Sequence, residues 1–400
     1  MGGTCLLIRN IRPWGAQVTD LRVSDGRIAE VSPNQTPSPD WKTHDGAGAI
    51  LLPGLVEAHT HLDKTLWGMG WRPHQAGPEL KDKIDTERRL RREWDIEPHR
   101  QSMRQALLSI AQGTTAIRSH VDMDTDCGME GFEGVARTRD LLTDQIDIEI
   151  VAFPQSGLLN RPGTLELMDQ ALREGADVVG GLDPCSMDRD PKGHLDAVFA
   201  LAERHGKPID IHLHEPAELG AFSIELIVER TLAHAMQGKV TISHAFCLGM
   251  SDRDRARGLT ADVARAQIHL ATVASAHRPV PDAGEVRDAG VTLCAGSDGI
   301  RDAWGPYGNG DMLERAMLLG LRNNFRTDDD LEHALRCCTY NGAAVMGLEG
   351  YGLAPGDAAN LVLVDAESVA HAIVAHPPRQ LVLKGGKIVA RDGASLRAAP

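Results

Sequence analysis

The sequence predicts a (β/α)₈ barrel carrying a small β-sandwich made from its two ends. Three observations lead there. Residues 53–349 alternate apolar strand-like runs with charged, helix-length runs. Residues 1–52 and 350–400 instead hold short strands separated by tight turns. Histidines and carboxylates recur where the predicted barrel strands end. Strand–helix alternation favours a parallel sheet covered by helices, and in such barrels the chemistry gathers at the C-terminal rim of the strands.

The first segment reads as strands around Leu6-Leu7-Ile8, Val18–Val23 and Ile28–Val31, with turns at Pro13-Trp14-Gly15 and Ser24-Asp25-Gly26. An Asp-Gly turn between alternating residues is a hairpin signal. Residues 32–47 are rich in Pro, Ser, Thr, Asp and Gly and read as a loop. Barrel strands are predicted at Gly54–His59, Thr114–His120, Ile148–Phe153, Val178–Leu182, Pro208–His212, Val240–His244, Ile268–Val273 and Val291–Ala295. Helices are predicted at Thr86–Gly113, Thr164–Glu174, Leu195–His205, Ser223–His234, Thr260–Ala266 and Gly284–Ala289, with a closing helical region at Thr327–Met346. Residues 67–86, with Pro73, Gly77 and Pro78, read as a long loop above the barrel mouth. Beyond residue 350, Ala359–Asp365, Gln380–Lys384 and Lys387–Val389 read as strands that pair with the N-terminal ones.

Composition narrows the function. The formal charge of −14 argues against nucleic acid or an anionic membrane surface as the main partner. No apolar run approaches the ~18 residues of a membrane helix, and the first residues carry no secretory pattern. The seven cysteines lack metal-site spacing and fit free thiols in a reducing compartment, so a cytoplasmic enzyme is expected.

The chemistry is written at the strand ends. His59 and His61 flank one threonine, and residues i and i+2 of a strand project to the same side. His120, His212-Leu213-His214-Glu215, His244 and Ser297-Asp298 end four further strands. His120 and His214 also suit packing or hydrogen bonding alone. Three histidine nitrogens and one aspartate oxygen suit a single divalent ion, Zn²⁺ or Fe²⁺, with a position left for water. A bound ion of this kind lowers the pKa of its water to about 7. Asp298 is of the right type to ligate the metal and take the water's proton. Glu215 could carry a proton to a substrate nitrogen, and His244 could polarise the reacting centre.

With these residues in view the chain resembles the amidohydrolase superfamily, and within it the cytosine deaminase branch. The resemblance runs over essentially the whole chain. It rests on Pro53-Gly54-Leu55-Val56-Glu57-Ala58-His59-Thr60-His61, Ala152-Phe153-Pro154-Gln155, His212-Leu213-His214-Glu215, Ser243-His244, Gly296-Ser297-Asp298 and Gly356–Val362. It implies His59, His61, His212 and Asp298 as metal ligands. It implies Gln155, Glu215 and His244 as catalytic and substrate-binding residues, with Trp304 as an aromatic wall. Binuclear relatives carry a bridging lysine on the fourth strand; here that strand reads Val178-Val179-Gly180-Gly181-Leu182, so one metal is expected.

Two departures redirect the expected substrate. Gly299 follows Asp298 where cytosine deaminases have a second aspartate, and Leu213-His214 replaces their Cys-Asp. With Lys64 and Trp304, this looks nearer to the triazine-degrading members, which remove an alkylamine from a hydroxylated s-triazine. Lys64 and His214 are then expected to bind ring oxygens or the leaving amine. The expected reaction is hydrolysis of an exocyclic C–N bond on a small nitrogen heterocycle. The alternatives are hydrolysis of a cyclic amide and a non-catalytic scaffold of the same fold. A homo-oligomer is compatible with the sequence, though no interface is marked.

Overall fold

The two ends of the chain share one sheet, and the barrel is built from what lies between them. The structure, a computed structural model, describes residues 5–77 and 79–400; expectations for residues 1–4 and Pro78 fall outside it. The first strands are β1 (Leu6–Pro13), β2 (Thr19–Ser24), β3 (Arg27–Ser32), β4 (Lys42–Asp45) and β5 (Ile50–Pro53). The barrel strands are β6 (Leu55–Thr60), β7 (Thr114–Asp122), β8 (Asp147–Phe153), β9 (Val178–Leu182), β10 (Ile209–His212), β11 (Val240–Ser243), β12 (His269–Thr272) and β13 (Leu293–Ala295). The last are β14 (Leu361–Val364), β15 (Arg379–Lys384), β16 (Lys387–Arg391) and β17 (Ala394–Ser395).

The terminal sheet runs β17-β16-β15-β14-β5-β1-β2-β3, with β4 against β1. With a register break between Ile8 and Ile11, β1 pairs with β2 along one edge, and along the other with β4 through its first half and β5 through its last two residues. The sheet therefore folds over an apolar cluster that includes Ile8, Leu21, Leu51, Leu361, Leu363 and Leu381. Alternation assigns the other faces. Ile50, Leu52, Val362 and Val364 join the barrel's own core, so β5 and β14 are buried on both sides.

The barrel strands are parallel and follow chain order from β6 to β13. All eight predicted strands are present, with ends shifted by at most two residues. Closure between β13 and β6 uses a few specific bonds. The Asp298 N–H donates to the His59 carbonyl at 2.9 Å, and Thr60 Oγ1 donates to the Asp298 carbonyl at 2.8 Å. The Ser297 N–H donates to the buried Glu57 carboxylate at 2.8 Å. Gly296 makes this approach possible, since a Cβ there would lie 2.4 Å from the His59 carbonyl oxygen.

Several expectations need correction. The segment 67–86 is not all loop, because helix α1 (Leu80–Glu93) occupies its end. The single helix expected at Thr86–Gly113 is two, α1 and α2 (Pro98–Ala111). Asp95 has φ +49, and Pro98 opens α2 while Glu97 caps it through the His99 and Arg100 amides. Helix α3 (Glu130–Leu141) was missed because Gly131 and Gly134 weaken its helical signal. Residues 32–47 contain β4, and the C-terminal segment contains a helix at Val369–Ala375. The closing helical region at Thr327–Met346 is present as Asp328–Cys337 and Tyr340–Val345, and a further helix at Met312–Arg322 precedes it.

Candidate active site

Each predicted metal ligand arrives at the rim already oriented. His59, at the end of β6, is fully buried, and its Nδ1 lies 2.9 Å from Ser243 Oγ. Ser243 donates its own proton to Asp210 at 2.6 Å, so it accepts from His59 Nδ1–H. That fixes the tautomer and leaves the Nε2 lone pair free. His61 is fixed the same way, with Nδ1–H donating to the His120 carbonyl at 3.1 Å. His212, the last residue of β10, stacks on Phe153 with ring centroids 4.1 Å apart. One nitrogen from each of His59, His61 and His212 lies within 4.8 Å of the others. Asp298 Oδ1 is 3.2 Å from His61 Nε2 and 3.7 Å from His59 Nε2.

These residues fit a cation. Among the described residues, His59 Nε2 and both ring nitrogens of His120, His212 and His244 are buried without a hydrogen-bond partner. Buried polar atoms are rarely left so, because an unmet group costs the loss of its hydration. Burial, reinforced by neighbouring imidazoles, holds His120, His212 and His244 well below the usual histidine range. Neutral rings are the form that binds metal. His59, His120 and Asp210 also lie close enough to share an ion. Asp210 is already engaged there, by Arg118 at 3.0 Å and by Ser243. The set His59, His61, His212 and Asp298 keeps its facing atoms free and is the better cradle.

The wall is built by groups of opposite tendency. His244 and His214 stack with centroids 4.4 Å apart. Asp183 accepts from the His214 backbone N–H at 2.6 Å and pairs with its Nδ1 at 2.8 Å. Burial disfavours a charged His214, but Asp183 outweighs it and raises the ring above its ordinary range. His244, Asp183 and Asp298 all take left-handed backbone angles, φ +69, +37 and +62. Such strain in non-glycine residues collects at functional sites. Glu215 Oε1 accepts from the Cys185 and Ser186 amides and Ser186 Oγ, and Oε2 accepts from Ser223 Oγ at 2.5 Å.

Lys64, Gln155 and Trp304 come together as a second cluster. Lys64 Nζ is buried, 3.2 Å from Gln155 Oε1, 3.1 Å from Asp122 Oδ1, 3.3 Å from Glu87 Oε2 and 5.5 Å from the Trp304 ring centre. Burial works against the ammonium, yet Asp122 and Glu87 raise Lys64 above its ordinary range. Because Lys64 donates to Oε1, the Gln155 amide presents its N–H₂ elsewhere. Arg91 of α1 completes the group at 2.6 Å from Asp122 Oδ2. Sequence reasoning gave Ser243 no role and missed Asp210, Asp183, Glu87, Asp122 and Arg91. The Glu87/Arg91 spacing of four on a helix was a readable signal.

The model of the amidohydrolase family matches residues 95–390. The N-isopropylammelide isopropyl amidohydrolase of Pseudomonas sp. (strain ADP) is 33% identical over 359 residues, covering 87% of this chain and 88% of that protein. The crystal structure of N-isopropylammelide isopropylaminohydrolase from Burkholderia multivorans is 49% identical with a TM-score of 0.95, covering 98% of this chain and 100% of that one. The 5-methylcytosine deaminase of Klebsiella pneumoniae, solved with 5-fluorocytosine, is 27% identical with a TM-score of 0.85, covering 96% of this chain and 97% of that one. With the barrel, its closing seam and the histidine–aspartate cradle, these matches show that the chain belongs to the amidohydrolase family and is a hydrolase.

Proposed function

We propose that the protein hydrolyses an exocyclic C–N bond on a pyrimidine- or s-triazine-type ring, releasing ammonia or an amine. The observation that carries this reading is the histidine–aspartate cradle facing a polar wall of Lys64, Gln155, His214 and Trp304. The names of the relatives supply the ring and the leaving amine. One Zn²⁺ or Fe²⁺ held by His59, His61, His212 and Asp298 would activate water and stabilise developing charge.

The chain's own residues do the rest. Asp298 takes the proton of the attacking water. His244 directs a neutral ring nitrogen at the reacting centre, and the imidazole of His214 stacks behind it. Glu215 carries the water's other proton to the ring nitrogen, for which the Ser223 hydrogen bond must give way. Gln155, oriented by Lys64, and the Trp304 face hold the ring. The amine leaves once it takes the proton held by Asp298, as the tetrahedral carbon collapses.

The test is a release assay on metal-loaded protein with cytosine, isoguanine, ammelide and N-isopropylammelide. Ammonia or amine release from a ring in this panel is expected. A new carboxylate without amine would move the reading to cyclic amide hydrolysis. Silence across the panel with one metal bound per chain would leave the cradle and remove the substrate class.

A further inference from the structure

Asp302 has no role in the chemistry above, yet it lies beside it. It is 6% exposed, and its Oδ1 accepts from the Trp304 amide at 2.8 Å and the Gly305 amide at 2.9 Å. Among the described residues its Oδ2 takes no hydrogen bond, although it is not sealed from solvent-accessible space. Oδ2 also fills a particular gap, for a Cβ on Gly299 would lie 1.7 Å from it. Gly299 directly follows Asp298, so this carboxylate sits where a side chain beside the cradle would otherwise be. Burial raises the Asp302 carboxyl above its ordinary range, the Lys64 ammonium opposes that, and Asp298 adds to it. Asp302 therefore senses both sides of the site, the cradle and the Lys64–Trp304 wall.

We propose that Asp302 is a specificity-determining residue whose Oδ2 accepts a hydrogen bond from a ring N–H of the substrate, in the space left by Gly299. This rests on the heterocycle reading above and narrows it to rings in the lactam form, with N–H beside C=O. A carboxylate oxygen that no protein group meets, on a side chain otherwise held in the fold, is paired by a ring that brings a donor, so that ring is favoured over one that lacks it. A ring alkylated at that nitrogen lacks the proton and adds bulk against the carboxylate. Gly299 and Asp302 act as a unit, since any side chain at 299 displaces Oδ2.

The experiment compares wild type with Asp302→Asn, both metal-loaded. Calorimetric binding and kcat/KM are measured for one lactam heterocycle turned over in the panel and for its ring-N-methyl counterpart. Asparagine keeps the volume and an oxygen for the two backbone donors. The expected result is a loss of about 10- to 100-fold in kcat/KM and affinity for the N–H ring, with Tm unchanged and the preference over the N-methyl ring collapsed. Unchanged constants in Asp302→Asn overturn the assignment. An equal loss on both rings with a lowered Tm also overturns it, since Asp302 would then only tie the loop. If wild type binds neither ring, the heterocycle reading falls and the assignment with it; wild-type binding with an unchanged variant sinks the assignment alone.

Discussion

The backbone N–H of Asp298 donates to the carbonyl of His59 across 2.9 Å, so the first and last residues of the cradle also join the first and last strands of the barrel. Cradle geometry and barrel closure are one structural fact. A shift along this seam moves a residue of the cradle.

Replacing Gly296 with alanine tests that coupling. The new methyl group meets the His59 backbone and Cβ at 2.4–2.7 Å. We expect a destabilisation of about 1–3 kcal/mol from overpacking, accompanied by weaker metal binding. Tm and chelator competition measure the two effects. A lowered Tm with unchanged metal affinity would separate closure from the cradle.

Ser243→Ala removes the group that fixes the His59 tautomer. Metal affinity should fall about 10- to 100-fold while the barrel stays folded, as for other groups that orient metal-binding imidazoles. Competition against a chelator of known affinity, beside a far-ultraviolet spectrum, checks this.

Stripping the metal should expose the cost of the partnerless nitrogens around His59 and His212. Restoring Zn²⁺ or Fe²⁺ at 100 times its Kd should stabilise the fold by about 2.7 kcal/mol, read as a rise in Tm. Equal Tm values with and without either ion would argue against a resident cation.

Lys64→Met removes the buried ammonium between Asp122 and Glu87 and leaves them Arg91 alone of the two cations they share. Breaking a buried pair from one side costs about 3–5 kcal/mol, so denaturant unfolding should show a large loss. Gln155 also loses its donor, so kcat/KM on the best substrate should fall. Wild-type stability and kinetics would sink both roles.

Glu87 gives the fold a pH dependence. Burial first, and then the neighbouring Asp122, pushes its carboxyl up to about 8, against the pull of Lys64 and Arg91. The folded chain thus keeps a proton that an unfolded glutamate releases above about pH 4.3. Its contribution is fully present below that value and is lost as pH rises through about 8. Wild-type Tm should decline across this window, and Glu87→Gln, which mimics the protonated form, should flatten the decline. Asp63 is raised in the same direction, mainly by burial, so some slope should remain. Parallel Tm profiles for the two proteins would exclude Glu87 as the source.

The parts of the site carried by strand ends were legible in the sequence, because strand periodicity and barrel topology together say where such residues point. His59, His61, His212 and Asp298 are of that kind. Their supports were not. Arg118 and Asp210 lie within strands, face the barrel interior and pair across it at 3.0 Å, a relationship set by barrel geometry and not by spacing along the chain. Asp302 was hidden differently. Gly299 reads as the loss of a side chain, and only the folded loop shows another carboxylate in its place. Pro73, Gly77 and Pro78 likewise obscured α1, whose helical pattern starts only after them.

The pairing of β5 with β14, Leu52 opposite Val362, also bears on how the protein is made. During synthesis the N-terminal strands emerge first, and their partner follows after about 300 residues of barrel. Until then Ile50, Leu51 and Leu52, paired at most with β1 on one edge, leave the other edge apolar and open, the kind of surface that invites aggregation. Pairing so distant in sequence is slow, because the loop must close before any contact rewards it. A ribosome-bound chain truncated before Leu361 should therefore depend on chaperones in a way that the finished chain does not.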